Sequence, residues 1–196
     1  EDDRALAFRD IGPKAPVHAR QVKRLLIQHA MVINGNGTPA AGPLDILVED
    51  GVISRIGTAT GSGWPEPDMA IDATGKYVMP GIINTHMHWH EERVGPIPIQ
   101  YERNLYLAAG VTTAREVGGN FEKTKQWRAE SAAHTIIAPR ILLYPMLADL
   151  VQSGQVYRKT PKEIAQLVVS ARQRGADGLK LIGPMDRDQA AAAIGE

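Results

Sequence analysis

Short apolar runs separated by turn residues dominate the first third of the chain. The β-prone runs are 25–33, 45–49 and 52–56. Asp50-Gly51 lies between the second and third runs, and this pair predicts a two-residue hairpin, because a type I′ turn requires positive φ at both central residues. We therefore predict a small β unit over residues 23–76, preceded by a polar leader or linker over residues 1–22.

Strand-like and helical stretches alternate after Gly75. The predicted elements are strands at 77–83, 111–117, 141–144 and 178–182, and helices at 99–109, 121–133, 160–175 and from Asp186 onward. The third helix opens with a capping box formed by Thr160 and Glu163, with Pro161 at the first helical position. Such alternation predicts an α/β fold with four parallel β/α units over residues 77–196. A closed barrel of this kind needs eight units.

Composition narrows the classes of partner. Lys plus Arg and Asp plus Glu both number 22, so neither nucleic acid nor a membrane surface is an expected partner. We expect a small-molecule substrate instead. The chain has no cysteine, so nitrogen and oxygen atoms must hold any metal. The apolar runs are too short to span a bilayer, which predicts a soluble chain, cytoplasmic or exported with its signal removed. The compartment and homo-oligomer formation stay open.

Three of the six histidines lie in the stretch Pro80-Gly-Ile-Ile-Asn-Thr-His-Met-His-Trp-His90. Residues two apart on an extended strand project to the same side, so His86 and His88 point together, with His90 just beyond them. Neutral imidazoles are common metal ligands, and β/α barrels carry their catalytic groups where strands end. The pattern predicts a divalent-metal site. A solvent-exposed run of histidines, or one buried histidine among exposed ones, is the alternative.

Residues 78–88 resemble the amidohydrolase superfamily, in which an apolar strand, Pro-Gly and a short spacer lead into His-x-His. Residues 45–57 resemble the hairpin of the small β-sandwich that precedes the barrel in this family, and residues 110–119 resemble its second strand and loop. The resemblance implies an N-terminal small β-sandwich unit followed by the first half of a (β/α)8 TIM-type barrel. The remaining half would come from the same parent chain or from a second polypeptide.

Lys180 is the third predicted metal residue. On the strand 178–182, Leu179 and Leu181 would face the helices, which turns Lys180 toward the barrel axis. Divalent metals nearby disfavour a protonated amine, and a neutral lysine can add carbon dioxide to become a carbamate. The resemblance implies that such a carboxylated lysine bridges two metals. An ion pair with a carboxylate, or extension of the side chain out of the barrel mouth, is the alternative.

Three further residues are predicted to contact a substrate: His90, Arg115 and Tyr144. Arg115 and Glu116 end the second barrel strand, where an ion pair within the barrel is the alternative use. Asn84 stands where most members of the family carry Asp, which leaves open how the first-strand histidines are oriented.

The resemblance implies hydrolysis of an amide or peptide-like C–N bond by metal-activated water, as in the prolidase-like branch, with zinc as the expected metal and two ions if Lys180 is carboxylated. Two further histidines and a general-base aspartate are implied for later strands outside these 196 residues, so no catalytic base is assigned here and little catalysis is expected from this chain alone. One alternative is a mononuclear imidazolonepropionase-like or deaminase-like hydrolase that does not use Lys180. Another is a non-catalytic barrel scaffold.

Overall fold

The computed structural model describes residues 21–59, 63–89, 98–151 and 155–195. The chain divides into two compact units, one formed by Arg20–Gly81 and the other containing Ile82–Glu196. Within the described residues, no helix is both long enough and apolar enough to cross a membrane. The predicted leader at 1–22 lies almost entirely outside the described residues.

The first unit contains one mixed β-sheet. Its strands are β1 (Arg24–Val32), β2 (Ala41–Glu49), β3 (Val52–Gly57), β4 (Met69–Asp72) and β5 (Tyr77–Val78). β3, β2, β1 and β4 lie side by side in that order, and β5 also pairs with β1. One buried cluster of this unit contains Ala30, Val32, Ile46 and Ala73. A second facing sheet, which a sandwich requires, stays a prediction.

The predicted hairpin between β2 and β3 is confirmed. The two strands are antiparallel, and Glu49 pairs with Val52 across the turn. Asp50 and Gly51 have φ values of 50° and 79°, so both central residues adopt the left-handed conformation that a type I′ turn requires.

The predicted strand at 77–83 is wrong as a single element. Tyr77–Val78 belongs to the first unit, where Met31 pairs with Tyr77, whereas Ile82–Met87 (β6) starts the sheet of the second unit. Pro80 separates the two because its nitrogen carries no hydrogen and cannot donate to a strand ladder. The boundary between the units therefore falls after Gly81 rather than after Lys76.

The second unit alternates parallel strands with helices. The elements are β6, α1 (Ile99–Ala108), β7 (Val111–Glu116), α2 (Phe121–Ala132), β8 (Arg140–Leu143), α3 (Pro161–Gln173) and α4 (Arg187–Ile194). β6, β7 and β8 are parallel and adjacent in that order, which confirms the predicted parallel β/α arrangement. The α/β class is therefore established, and the helix bounds match the predictions to within a few residues.

The cores of the second unit lie where its helices pack. One cluster joins Met87, Trp89, Ala114 and Ile141 to side chains of α1 and α2, including Tyr106 and Trp127. A second cluster contains Leu147, Val156 and Ile164. The predicted capping box is present at the start of α3, where the Thr160 side chain accepts from the Glu163 backbone and Glu163 bonds back to Thr160.

The predicted fourth barrel strand, 178–182, is reduced to one bridge between Met146 and Lys180. Lys180 donates its N–H to the Pro145 carbonyl at 3.0 Å, and its own carbonyl accepts from Leu147 at 3.0 Å. Pro145 has no N–H, so it cannot donate the next hydrogen bond that would extend this pairing toward β8. Nearer β8, the Asp177 side chain accepts the Leu143 N–H at 2.8 Å in place of a strand carbonyl.

Candidate metal centre

His86 and His88 lie at the carboxyl end of β6 on the opposite side from the helices. Met87 and Trp89, which alternate with them, are buried against α1 and α2, so the histidines face away from that core. Their ring centroids are 5.4 Å apart, at an interplanar angle of 68°. The structure therefore brings the two predicted imidazoles together on one side of the sheet.

Asn84 shapes the backbone beneath these rings. Its side-chain oxygen accepts the backbone N–H of His86 at 3.1 Å. The pairing register with β7 shifts in the same stretch, between Asn84 and Met87, and a local side-chain hydrogen bond of this kind competes with a strand ladder. The role of Asn84 at the strand end is therefore to accept this backbone hydrogen bond through its amide oxygen.

Lys180 reaches the same place from the opposite edge of the sheet. Its Nζ atom lies 3.4 Å from Nε2 of His86. The bridge to Met146 fixes the Lys180 backbone beyond the end of β8, and Leu179 packs into the α3 cluster. All three predicted metal residues thus converge on one side of the sheet, although only a single bridge holds the segment that carries Lys180.

Glu116, the last residue of β7, also belongs to this group, a position that the sequence did not predict. Its side chain is 1% exposed, and Oε1 lies 3.8 Å from Nδ1 of His88. Burial raises the pKa of the Glu116 carboxyl, while the N–H groups of Gly119 and Gly118 and the charge of Lys180 act in the opposite direction. Its position at a strand end was the available signal, but its contact with His88 depends on the packing of two strands.

The predicted substrate residues are placed differently. Arg115 donates through Nε to the Thr85 carbonyl at 2.5 Å, and its guanidinium lies 5.0 Å from the centre of the Tyr144 ring. Arg115 and Tyr144 therefore contact each other next to β6. His90 lies outside the described residues.

A cavity of about 490 Å³ opens beside His88. The lining residues include Trp89, Gly118, Asn120, Thr124 and Asp149. Its walls come from the residues after β6, the loop after β7, the first turns of α2 and the turn at Leu147–Leu150, which meet only in the folded chain. It offers room for a small molecule next to a predicted metal ligand.

The residues present fit part of a divalent-metal site. Two imidazoles and one amine converge, and Oε2 of the neighbouring Glu116 is buried with no hydrogen-bond partner among the described residues. A buried carboxylate oxygen without a donor is costly, and a cation nearby would offset that cost. Among the described residues, no cluster of three or more His, Asp or Glu side chains is arranged to hold an ion. Further ligands would be needed for four-coordinate zinc.

Comparison with known sequences gives partial matches to a hydantoinase and a dihydroorotase. L-hydantoinase of Paenarthrobacter aurescens is 34% identical over 102 residues, which is 51% of this chain and 21% of that enzyme. Dihydroorotase of Thermoanaerobacter sp. (strain X514) is 39% identical over 65 residues, which is 33% of this chain and 14% of that enzyme. No family model matches the chain.

A solved structure matches over nearly the whole chain. A protein from Bifidobacterium longum assigned as a prolidase superposes with a TM-score of 0.72 at 26% identity, over 92% of this chain and 47% of that one. This chain therefore spans about half the length of that structure. With the partial sequence matches, this likeness supports the amidohydrolase superfamily, as the motifs around His86 predicted.

Proposed function

We propose that this chain supplies one side of the active site of a metal-dependent hydrolase that cleaves an amide or peptide-like C–N bond. The observation that carries the proposal is the convergence of His86, His88 and Lys180 at the strand ends of one sheet. The names of the relatives, a hydantoinase, a dihydroorotase and a protein assigned as a prolidase, support the bond class.

His86 and His88 would hold a divalent metal, with zinc the best match to paired imidazoles in a chain that has no cysteine. When bound, such a metal lowers the pKa of a coordinated water and polarises a substrate carbonyl. The histidines contribute neutral nitrogen donors, and the β6 backbone holds both on the side opposite the helical core. The cavity beside His88 would receive the substrate.

Lys180 would be the bridging ligand of a two-metal form. The neutral amine adds carbon dioxide at Nζ and releases one proton, which gives a carbamate with two oxygens. The distance of 3.4 Å to His86 places this nitrogen beside the first ligand. A carbamate there would replace the amine–imidazole contact and direct oxygens toward the same cation.

The complete site requires the rest of a (β/α)8 barrel, from the same parent chain or from a second polypeptide, and the hydrolytic activity is proposed for that assembly. Apolar side chains are exposed on β6 and beside Lys180, where the remaining strands would cover them. They are Ile82, Ile83, Leu181 and Ile182, with exposures of 50, 60, 38 and 50%. β6 pairs only with β7 among the described residues. Such uncovered apolar strand residues favour a further pairing partner.

A mononuclear, imidazolonepropionase-like or deaminase-like hydrolase is the second candidate. The observation that favours it is the Lys180–His86 contact itself, because an amine that already has an imidazole partner requires neither carbon dioxide nor a second metal. In this form Lys180 would stay unmodified.

Native mass spectrometry of the chain equilibrated with zinc and bicarbonate tests the proposal. The two-metal form predicts two zinc ions and the added mass of one carbon dioxide, and both adducts should decrease in Lys180→Met. Lys159→Met is the matched control, since Lys159 pairs with Glu163 far from the histidines along the chain. One zinc without carbon dioxide supports the mononuclear candidate. Absence of zinc from the chain contradicts both and leaves the scaffold alternative.

A further inference from the structure

We propose that Glu116 is a positioning residue that accepts a hydrogen bond from Nδ1 of His88 and thereby turns Nε2 of that imidazole toward the metal. This inference rests on the proposed function. It assigns a role to a buried carboxylate that the ligand set of His86, His88 and Lys180 does not use.

The first support is the burial of Glu116 beside a single imidazole. Glu116 is 0% exposed, and its Oε2 has no hydrogen-bond partner among the described residues. Its other oxygen, Oε1, lies 3.8 Å from Nδ1 of His88. Burial of a carboxylate is costly, because loss of hydration costs several kcal/mol, so a second donor to Oε1 beside the Gly118 N–H would be favourable. A shortening of roughly 0.6 Å, by a small ring rotation, would bring the pair within hydrogen-bonding distance.

The second support is the loop that follows β7, which holds the carboxylate in place. Oε1 accepts the Gly118 N–H at 3.1 Å. A Cβ atom at Gly119 would lie 2.9 Å from the same oxygen, so the loop approaches this closely only because residue 119 is glycine. The carboxylate is therefore held by backbone groups, so closure of the 3.8 Å distance would come from rotation of the His88 ring.

The third support is the orientation that this contact gives to the imidazole. A neutral histidine carries one proton, and a carboxylate next to Nδ1 places it there. Nε2 then carries the lone pair that a metal binds, and the ring is held in one orientation. The side chain of His88 is 30% exposed, and its Nδ1 is the atom next to the buried carboxylate.

The test is to determine which ring nitrogen of His88 carries the proton in metal-free protein. Long-range ¹H–¹⁵N NMR distinguishes the two tautomers in the ¹⁵N-histidine-labelled chain. The spectra are recorded at a pH well above the usual histidine pKa, and His88→Asn assigns the signals. We expect the proton on Nδ1. Glu116→Leu should shift it to Nε2, whereas the exposed and arginine-paired Glu122→Gln should not. A wild-type His88 protonated on Nε2 overturns the inference without the need for any variant.

Zinc titration of the same samples separates this inference from the proposed function. We expect zinc to shift the Nε2 signal of His88, and Glu116→Leu to weaken zinc binding about 10- to 100-fold, as loss of an outer-shell partner does elsewhere. Gly119→Ala, which displaces the carboxylate without removing it, should weaken binding in the same direction. If the proton lies on Nδ1 but zinc does not shift the Nε2 signal, the result contradicts the metal site and supports the Glu116–His88 pair. Zinc binding unaffected by either variant overturns the positioning role.

Discussion

Lys180 Nζ lies 3.4 Å from His86 Nε2, although 94 residues separate the two along the chain. β6 carries the histidine, and the bridge beyond β8 carries the lysine, so the contact exists only when three parallel strands are in order. This relationship connects the fold to the proposed chemistry. It places a nitrogen that can be carboxylated beside a nitrogen that can bind a metal.

Gly178, two residues before Lys180, lies in close contact with the Tyr144 ring. A Cβ atom at residue 178 would overlap the Tyr144 ring and lie 2.8 Å from Cδ1. Gly178→Ala should therefore lower the free energy of unfolding by about 1–3 kcal/mol, as other over-packed sites do. Urea denaturation measures this loss. In a Tyr144→Ala background the same substitution should cost much less, and equal costs in both backgrounds would show that the overlap is not the cause.

Ile164 on α3 is fully buried, in the cluster with Leu147 and Val156. Ile164→Ala removes apolar contacts and leaves a cavity, so we expect a loss of about 2–5 kcal/mol in the free energy of unfolding. Ile194 on α4 is 76% exposed and provides the matched control. Ile194→Ala should change stability by less than about 0.5 kcal/mol. Similar losses for both variants would contradict the described packing of α3.

The capping box at the start of α3 makes that helix sensitive to acid. Hydrogen bonds from Thr160 and Lys159 lower the pKa of Glu163 from 4.5 to about 2. Because the folded-state pKa is the lower one, the contribution of Glu163 is present above pH 4.5 and decreases as the pH falls toward 2. Glu163→Gln should flatten the dependence of stability on pH in that window.

Chemical denaturation at several pH values measures the effect of Glu163. Lys162→Gln is a control that changes a neighbouring charge without altering the capping box, and its pH profile should keep the wild-type slope. A Glu163→Gln profile with the wild-type slope would contradict the low pKa. Thr160→Ala should separately cost about 1 kcal/mol at neutral pH, through loss of the cap.

Local signals in the sequence predicted the elements that local chemistry determines. Asp50-Gly51 specified the hairpin, Asn120 and Thr160 cap helices close to where the pattern placed them, and alternation about Met87 placed both histidines on one side. In each case the residues that decide the structure are neighbours in sequence.

Features that depend on distant contacts were not predicted. The strand expected at 77–83 splits because Val78 finds its partner in β1, more than forty residues upstream, while Ile82 pairs with Val111. Lys180 forms one bridge instead of a strand, and Glu116 lies next to His88 only because β6 and β7 are neighbours. No periodicity within a single segment contains this information.

Zinc binding by the metal-free chain, measured by isothermal titration calorimetry, tests the central claim most directly. Wild-type protein should bind zinc, and His86→Ala and His88→Ala should each abolish or severely weaken that binding. His134→Ala, a histidine beyond α2 with φ of 57°, should bind zinc like the wild type. Equal zinc binding in all four proteins, or none in the wild type, would contradict a metal centre at His86 and His88.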